Sequence, residues 1–220
     1  MKNNPLLKNN FLRFCGVFVF CVFAVTGCAK KEITNINSQG KNIICFGDSI
    51  TFGYGANPGE AFPDALSKMI NIPVVSSGLD GDTSTTALMR LKTDVLDREP
   101  LLVIIEFGGN DFLRKISMEE TTRNIEEMIK QIQAHGAMTA IADISVGIIM
   151  GDYGKEFKHL CKKYNAIYIP SLFKGIITNP SLKSDFIHPN AEGYKVIAQR
   201  IYRTIIPYLN QNTLSRKFVK

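Results

Sequence analysis

Apolar positions along the chain alternate between two rhythms. Short continuous runs appear at about 41–46, at Val74-Val75, over Leu101–Phe107, over Ala137–Asp143 and over Ala166–Ile169. Runs of this length, bounded by Gly, Pro, Asn or Asp, predict strands covered on both faces. Between them apolar residues recur at helical spacing. Phe62, Leu66, Met69 and Ile70 form one such face, which Pro73 closes, and Leu88, Leu91, Val95 and Leu96 form another over about 84–99. Ser117 with Glu120 predicts a capping box ahead of Ile125, Met128, Ile129 and Ile132, and Gly136 ends that helix. Further helices are predicted near 155–164 and over about 191–208, the last with Val196, Ile197, Ile201 and Ile205 inward. Strand and helix alternate without internal repeats. The pattern predicts one α/β domain, a parallel sheet layered between helices.

The first residues break this rhythm. Lys2, Lys8 and Arg13 precede an apolar run, Phe14 to Val25, of 12 residues. A membrane-spanning helix needs about 20, so the run has the length of a signal-peptide core. Val25-Thr26-Gly27-Cys28 follows and resembles the lipobox of bacterial lipoproteins, in which the Cys is lipidated and becomes the mature N-terminus. An ordinary secretory signal is the alternative. The expected organisation is therefore a signal peptide at 1–27, a lipidated Cys28 with a flexible polar tether at 28–40, a folded domain at 41–210 and a polar, fraying tail at 211–220. The protein is expected outside the cytoplasm on a bacterial membrane, the outer one where there are two.

Charge adds little. The chain carries +6, and the segment before Cys28 holds three basic residues and no acids, leaving +6 − 3 = +3 on the mature part. No basic stripe with interleaved aromatics is present, so nucleic acid is not an expected partner. Of the five cysteines, Cys45 and Cys161 remain on predicted core elements. Lys155, Lys158, Lys162 and Lys163 read as a solvated helix face.

In a parallel sheet, ligands meet the carboxyl ends of the strands. Four stretches fall there: Gly47-Asp48-Ser49, Gly78 within SSGLDGDT, GGND at 108–111, and Asp185-Phe186-Ile187-His188. Ser49 is placed to be a nucleophile, which requires a base and oxyanion donors. Of three histidines, His135 borders Gly136 and reads as a helix cap, and His159 lies on an amphipathic, Lys-rich helix. His188 lies on a loop three residues after Asp185, whose carboxylate can fix the imidazole tautomer. On spacing alone the same pair also suits an ordinary loop, and GGND an ordinary strand-to-loop turn. The backbone N–H groups of Ser49 and Gly78 and the side chain of Asn110 are candidate donors, whereas Asp48 and Asp111 read as structural. No G-x-S-x-G elbow, phosphate loop or metal-ligand spacing occurs. No cofactor is expected.

Taken together, GDSITFGYGA, SSGLDGDTSTT, VIIEFGGNDFLR and DFIHPNAEGY resemble the four blocks of the SGNH (GDSL) hydrolases, most closely the bacterial thioesterase/arylesterase/lysophospholipase branch. The resemblance runs from about Ile43 to Tyr208. It implies a flavodoxin-like three-layer α/β/α sandwich with a five-stranded parallel sheet. It also implies Ser49 as nucleophile, His188 as base, Asp185 as its orienting acid, and Ser49 N–H, Gly78 N–H and Asn110 as the oxyanion hole. Ile50 replaces the Leu of GDSL, and Ser76 stands where the branch usually has Asn.

The expected substrates are small acyl esters, thioesters or lysophospholipids. An O-acetylesterase of envelope polysaccharide or peptidoglycan is the alternative, and a non-catalytic envelope-binding lipoprotein a third. Ile148, Ile149 and Met150, following the fourth strand, are candidate walls of an acyl groove, or else core filler.

Overall fold

Five strands pair in parallel in the order β2-β1-β3-β4-β5, as β1 (Asn42–Gly47), β2 (Val74–Gly78), β3 (Pro100–Glu106), β4 (Met138–Ala142) and β5 (Ile167–Ile169). They belong to a computed structural model that describes residues 32–213 except 146, 148 and 149. The helices are α1 (Ser49–Phe52), α2 (Phe62–Ser67), α3 (Ser84–Asp94), α4 (Gly109–Leu113), α5 (Met118–Ala134), α6 (Gly151–Tyr164) and α7 (Ala191–Leu209). The chain moves outward from β1 to β2 and then crosses back to β3. The strand order therefore reverses between β1 and β3, which opens a crevice at their carboxyl ends.

Burial explains the apolar runs. Every residue of β3 is buried, Pro100 through Glu106, because helices cover both faces of the sheet. Helix α2 packs on α7, and α3 and α6 pack on α5. Ile125, Met128, Ile129 and Ile132 are the buried stripe of α5, and Ile197, Ile201 and Ile205 that of α7.

Several boundaries differ from the sequence reading. Strand β2 runs on through Ser76, Ser77 and Gly78, in register with Cys45, Phe46 and Gly47. The polar serines disguised it as loop. The helix expected to reach residue 99 ends at Asp94, and a short 3-10 turn at Leu96–Arg98 follows. Only half of the capping box forms: Ser117 accepts from the Glu120 amide, while the Glu120 carboxylate accepts from Thr85 Oγ1 at 3.2 Å. Cys45 and Cys161 are buried free thiols.

The largest correction concerns the tether. Residues 34–38 are packed against the domain, and Ile36 and Ser38 are buried. Helix C-termini leave carbonyls without intrahelical donors, and the polar residues of this segment supply them. Asn35 Nδ2 donates to the carbonyls of Gln133 and Ala137 at 2.8 and 3.0 Å, around the end of α5. The Thr34 hydroxyl donates to Tyr164 O at the end of α6, at 3.0 Å. The expected fraying tail also contributes. Asn212, fully buried, donates from Nδ2 to Ile36 O and Ser38 O, both at 2.9 Å. Helix ends and strand starts meet at the amino edge of the sheet, so the N-terminal segment is fastened on the side opposite Ser49. Cys28 and the expected signal peptide at 1–27 lie outside the described residues.

Replacing Asn212 with Ala strands two buried carbonyls, each costing about 1–3 kcal/mol less any relaxation. Asn212→Ala is expected to lower the urea midpoint, by the equivalent of about 2 kcal/mol, and to open residues 32–40 to limited proteolysis. An unchanged midpoint and cleavage pattern would contradict the clamp.

Candidate active site

Close approach of backbone builds the floor of the crevice. Gly47, the last residue of β1, pairs with Gly78 of β2 on one side and Glu106 of β3 on the other. A Cβ on Gly78 would lie 2.1 Å from Phe52 N, and one on Gly47 2.1 Å from Thr51 Oγ1. Glycine at both positions lets α1 fold down directly after the strand. Asp48 caps α1 by accepting from Ile50 N at 3.0 Å, and Ser49 is its first residue. The Ser49 N–H thus has no acceptor within its own helix. Ser76, the residue that departs from the usual Asn, donates from Oγ to Thr51 O at 3.1 Å and helps hold α1 on β2.

The candidate base, His188, arrives from the other end of the chain. Lys183 and Pro189 form an antiparallel bridge, and Ser184 N donates to His188 O at 3.0 Å, which closes a tight loop. Inside it Asp185 Oδ1 accepts from the amides of Ile187 and His188, at 2.9 and 2.8 Å. Its other oxygen lies 2.7 Å from His188 Nδ1. His188 Nε2 lies 3.1 Å from Ser49 Oγ. The imidazole also rests on the Tyr54 ring, with centroids 4.4 Å apart. Partial burial alone would push the Asp185 carboxyl up, but the His188 amide and ring and the Ile187 amide outweigh it and bring the pKa down to about 2. An ionised carboxylate only accepts, so Nδ1 carries the proton and Nε2 presents its lone pair to Ser49.

The structure therefore brings Ser49, His188 and Asp185 together in one hydrogen-bonded line. Asn110, on α4, is at the same edge. Its Nδ2 donates to Asp82 O at 3.0 Å and to Asp48 Oδ2 at a longer 3.2 Å. Asp111, wholly buried, accepts from Thr121 Oγ1 and from the amide and hydroxyl of Ser84, tying α4 to α3 and α5. His135 caps α5, and His159 is exposed on α6, both away from this line.

An apolar cavity meets the expected acyl groove in part, and a buried carboxyl pair was not anticipated. Beside Ser49 opens a cavity of about 260 Å³ lined mainly by apolar side chains, including Ile50, Phe112, Ile144, Met150, Phe173 and Ile177. Of the candidate groove residues only Met150 lines it among the described residues, since Ile148 and Ile149 lie outside them. Under the same floor sits a buried carboxyl pair, Asp48 and Glu106, 3% and 2% exposed. The two are hydrogen-bonded to each other. Burial raises Asp48 to about 6 despite the Ile50 amide, the Glu106 hydrogen bond and nearby His188. Burial and the Asp48 charge push Glu106 well above the usual carboxylate range. A lone charged residue inside the run LLVIIEF was the available signal.

Comparison with known proteins agrees with this geometry. A sequence profile of the GDSL-like lipase/acylhydrolase family matches residues 45–196. Thioesterase 1/protease 1/lysophospholipase L1 of Escherichia coli (strain K12) is 24% identical over 216 residues, covering 93% of this chain and 98% of that protein. The lipoprotein YqeF of Bacillus subtilis (strain 168) is 25% identical over 164 residues, 68% of this chain and 63% of that one. The crystal structure of the psychrotrophic esterase EstA from a Pseudoalteromonas species, inhibited by monoethylphosphonate, superimposes with a TM-score of 0.70 at 26% identity, covering 77% of this chain and 99% of that one. The matched stretch takes in every block that meets at the carboxyl edge of the sheet, and the chain belongs to the GDSL-like lipase/acylhydrolase family.

Proposed function

We propose that the chain is a serine esterase in which Ser49 takes up the acyl group of an ester or thioester and passes it to water. The observation that carries this reading is the unbroken line Ser49 Oγ, His188 Nε2, His188 Nδ1, Asp185 Oδ2, with separations of 3.1 and 2.7 Å across its two gaps. His188 Nε2 takes the Ser49 proton as Oγ attacks the carbonyl carbon. The resulting oxyanion is met by the N–H groups of Ser49 and Gly78 and by Asn110 Nδ2. When the intermediate collapses, the bond to the leaving oxygen or sulfur breaks, and that atom takes the proton from His188. Water then repeats the cycle on acyl-Ser49: its proton passes to His188, the acid leaves, and the proton returns to Ser49 Oγ.

The cavity beside Ser49 is the place for the acyl chain. Its mainly apolar wall suits a chain longer than acetyl, within the range suggested by the relative named as a thioesterase and lysophospholipase. Export and lipid anchoring at Cys28 belong to the same proposal.

A panel of p-nitrophenyl esters on the mature protein tests the reading. Turnover is expected for wild type and about 10⁶-fold less for Ser49→Ala, whereas equal activity in both would rule out the assignment. Asp185→Asn is expected to cut kcat by about 10³–10⁴-fold, since an amide no longer holds the imidazole in the required tautomer. The sign of the pH effect follows from the lowered carboxyl. Asp185 stays ionised down to about pH 2. The stabilisation tied to that shift is complete above its unfolded value, about 3.9, and is lost as pH falls through about 2. Any loss of activity between pH 5 and 7 must therefore arise elsewhere. Ile177→Trp, which fills part of the cavity, is expected to lower kcat/KM for octanoyl esters about tenfold relative to acetyl esters. An unchanged chain-length preference in a folded variant would show that acyl chains bind elsewhere.

A further inference from the structure

The floor of the site holds a group that the triad does not use. Glu106 ends β3, and its Oε2 accepts from Thr51 Oγ1 at 2.9 Å. It is hydrogen-bonded in turn to Asp48, whose Oδ2 is one of two acceptors for Asn110 Nδ2. We propose that Glu106 is a positioning residue: through the chain Thr51–Glu106–Asp48–Asn110 it sets how firmly Asp48 holds the amide proton that Asn110 must give to the oxyanion.

Two acceptors and the oxyanion compete for the Asn110 amide. Asn110 Nδ2 has two protons. One is directed at Asp82 O at 3.0 Å and the other at Asp48 Oδ2 at 3.2 Å. An oxyanion on Ser49's substrate must share the second with a buried carboxylate. A bare carboxylate there would keep the proton and repel the oxyanion, in a setting where screening is weak. Two carboxyls cannot hydrogen-bond without a proton between them. With that proton supplied by Glu106, Asp48 becomes a weaker acceptor and the pair carries one negative charge instead of two. Burial and then the neighbouring Asp48 charge raise the affinity of Glu106 for that proton. Thr51 Oγ1 donates to Glu106 Oε2, which helps to hold the carboxyl in one orientation.

Other charged and titratable groups face the pair. Cys45 on β1 and Tyr194 on α7 are both raised by burial and then by Glu106, so neither ionises near neutral pH. Arg90 on α3 faces the end of β1 with its guanidinium on Gly47 O, paired with Asp82 and Asp94. Asp111 on α4 adds negative charge and His188 faces Asp48 from the catalytic loop.

The inference rests on Ser49 chemistry, and two kinds of measurement keep the two apart. Glu106→Gln retains a donor for Asp48 and an acceptor for Thr51, whereas Glu106→Met retains neither. On a p-nitrophenyl ester, Glu106→Met is expected to lower kcat about a hundredfold with little change in KM, as for loss of one oxyanion donor. Glu106→Gln is expected within a few-fold of wild type. Independently of turnover, the Asn110 side-chain amide signals in ¹⁵N-Asn-labelled protein should move in Glu106→Met and stay near wild type in Glu106→Gln. Folded Glu106→Met with unchanged kcat, or with unmoved Asn110 signals, would overturn the proposal. So would Glu106→Gln as impaired as Glu106→Met.

Discussion

Gly47 is pressed between Gly78 and Glu106, and that register decides where the chemistry sits. Two glycines allow the chain to turn from β1 straight into α1, so Asp48 and Ser49 project at the edge instead of continuing the strand. The same level of the sheet delivers Glu106 beneath the floor and, four residues later, Asn110 beside it. Parallel pairing makes this possible, because the strands point their carboxyl ends the same way. Without the close contact of α1 on β2, the Ser49 amide and the Gly78 backbone would not share an edge.

The second half of the site is held by a loop and not by the sheet. Asp185 fastens its own loop through two amides before it orients the imidazole. One carboxylate thus fixes both the backbone and the ring of His188. The Tyr54 ring supports the other face of the imidazole, and the Tyr54 carbonyl accepts the hydroxyl of buried Tyr194 at 2.7 Å. The loop is therefore tied to α7 and to the turn after α1, which carries it to Ser49 across 139 positions of sequence.

The strands and most helices were legible because burial writes a period into the sequence, and β3 and α5 are its clearest examples. The blocks around Ser49, Gly78, Asn110 and His188 were legible because their residue types suit sheet ends. Interactions between distant polar groups were not. Asn35, Thr34 and Asn212 read as tether and tail, since polar residues look alike whether they meet water or the orphan carbonyls of a helix end. Glu106 was hidden for the opposite reason, as a carboxyl inside an apolar run whose partner Asp48 had been set aside as structural. Phe112, Ile144, Phe173 and Ile177 come from three separate segments, so no spacing rule could have assembled this lining.

Labelling of the mature protein with a fluorophosphonate, followed by peptide mass mapping, addresses the nucleophile itself. One phosphonyl group is expected, on Ser49, with labelling abolished in His188→Ala although Ser49 is still present. Modification at another residue, or no modification of folded protein, would contradict the account.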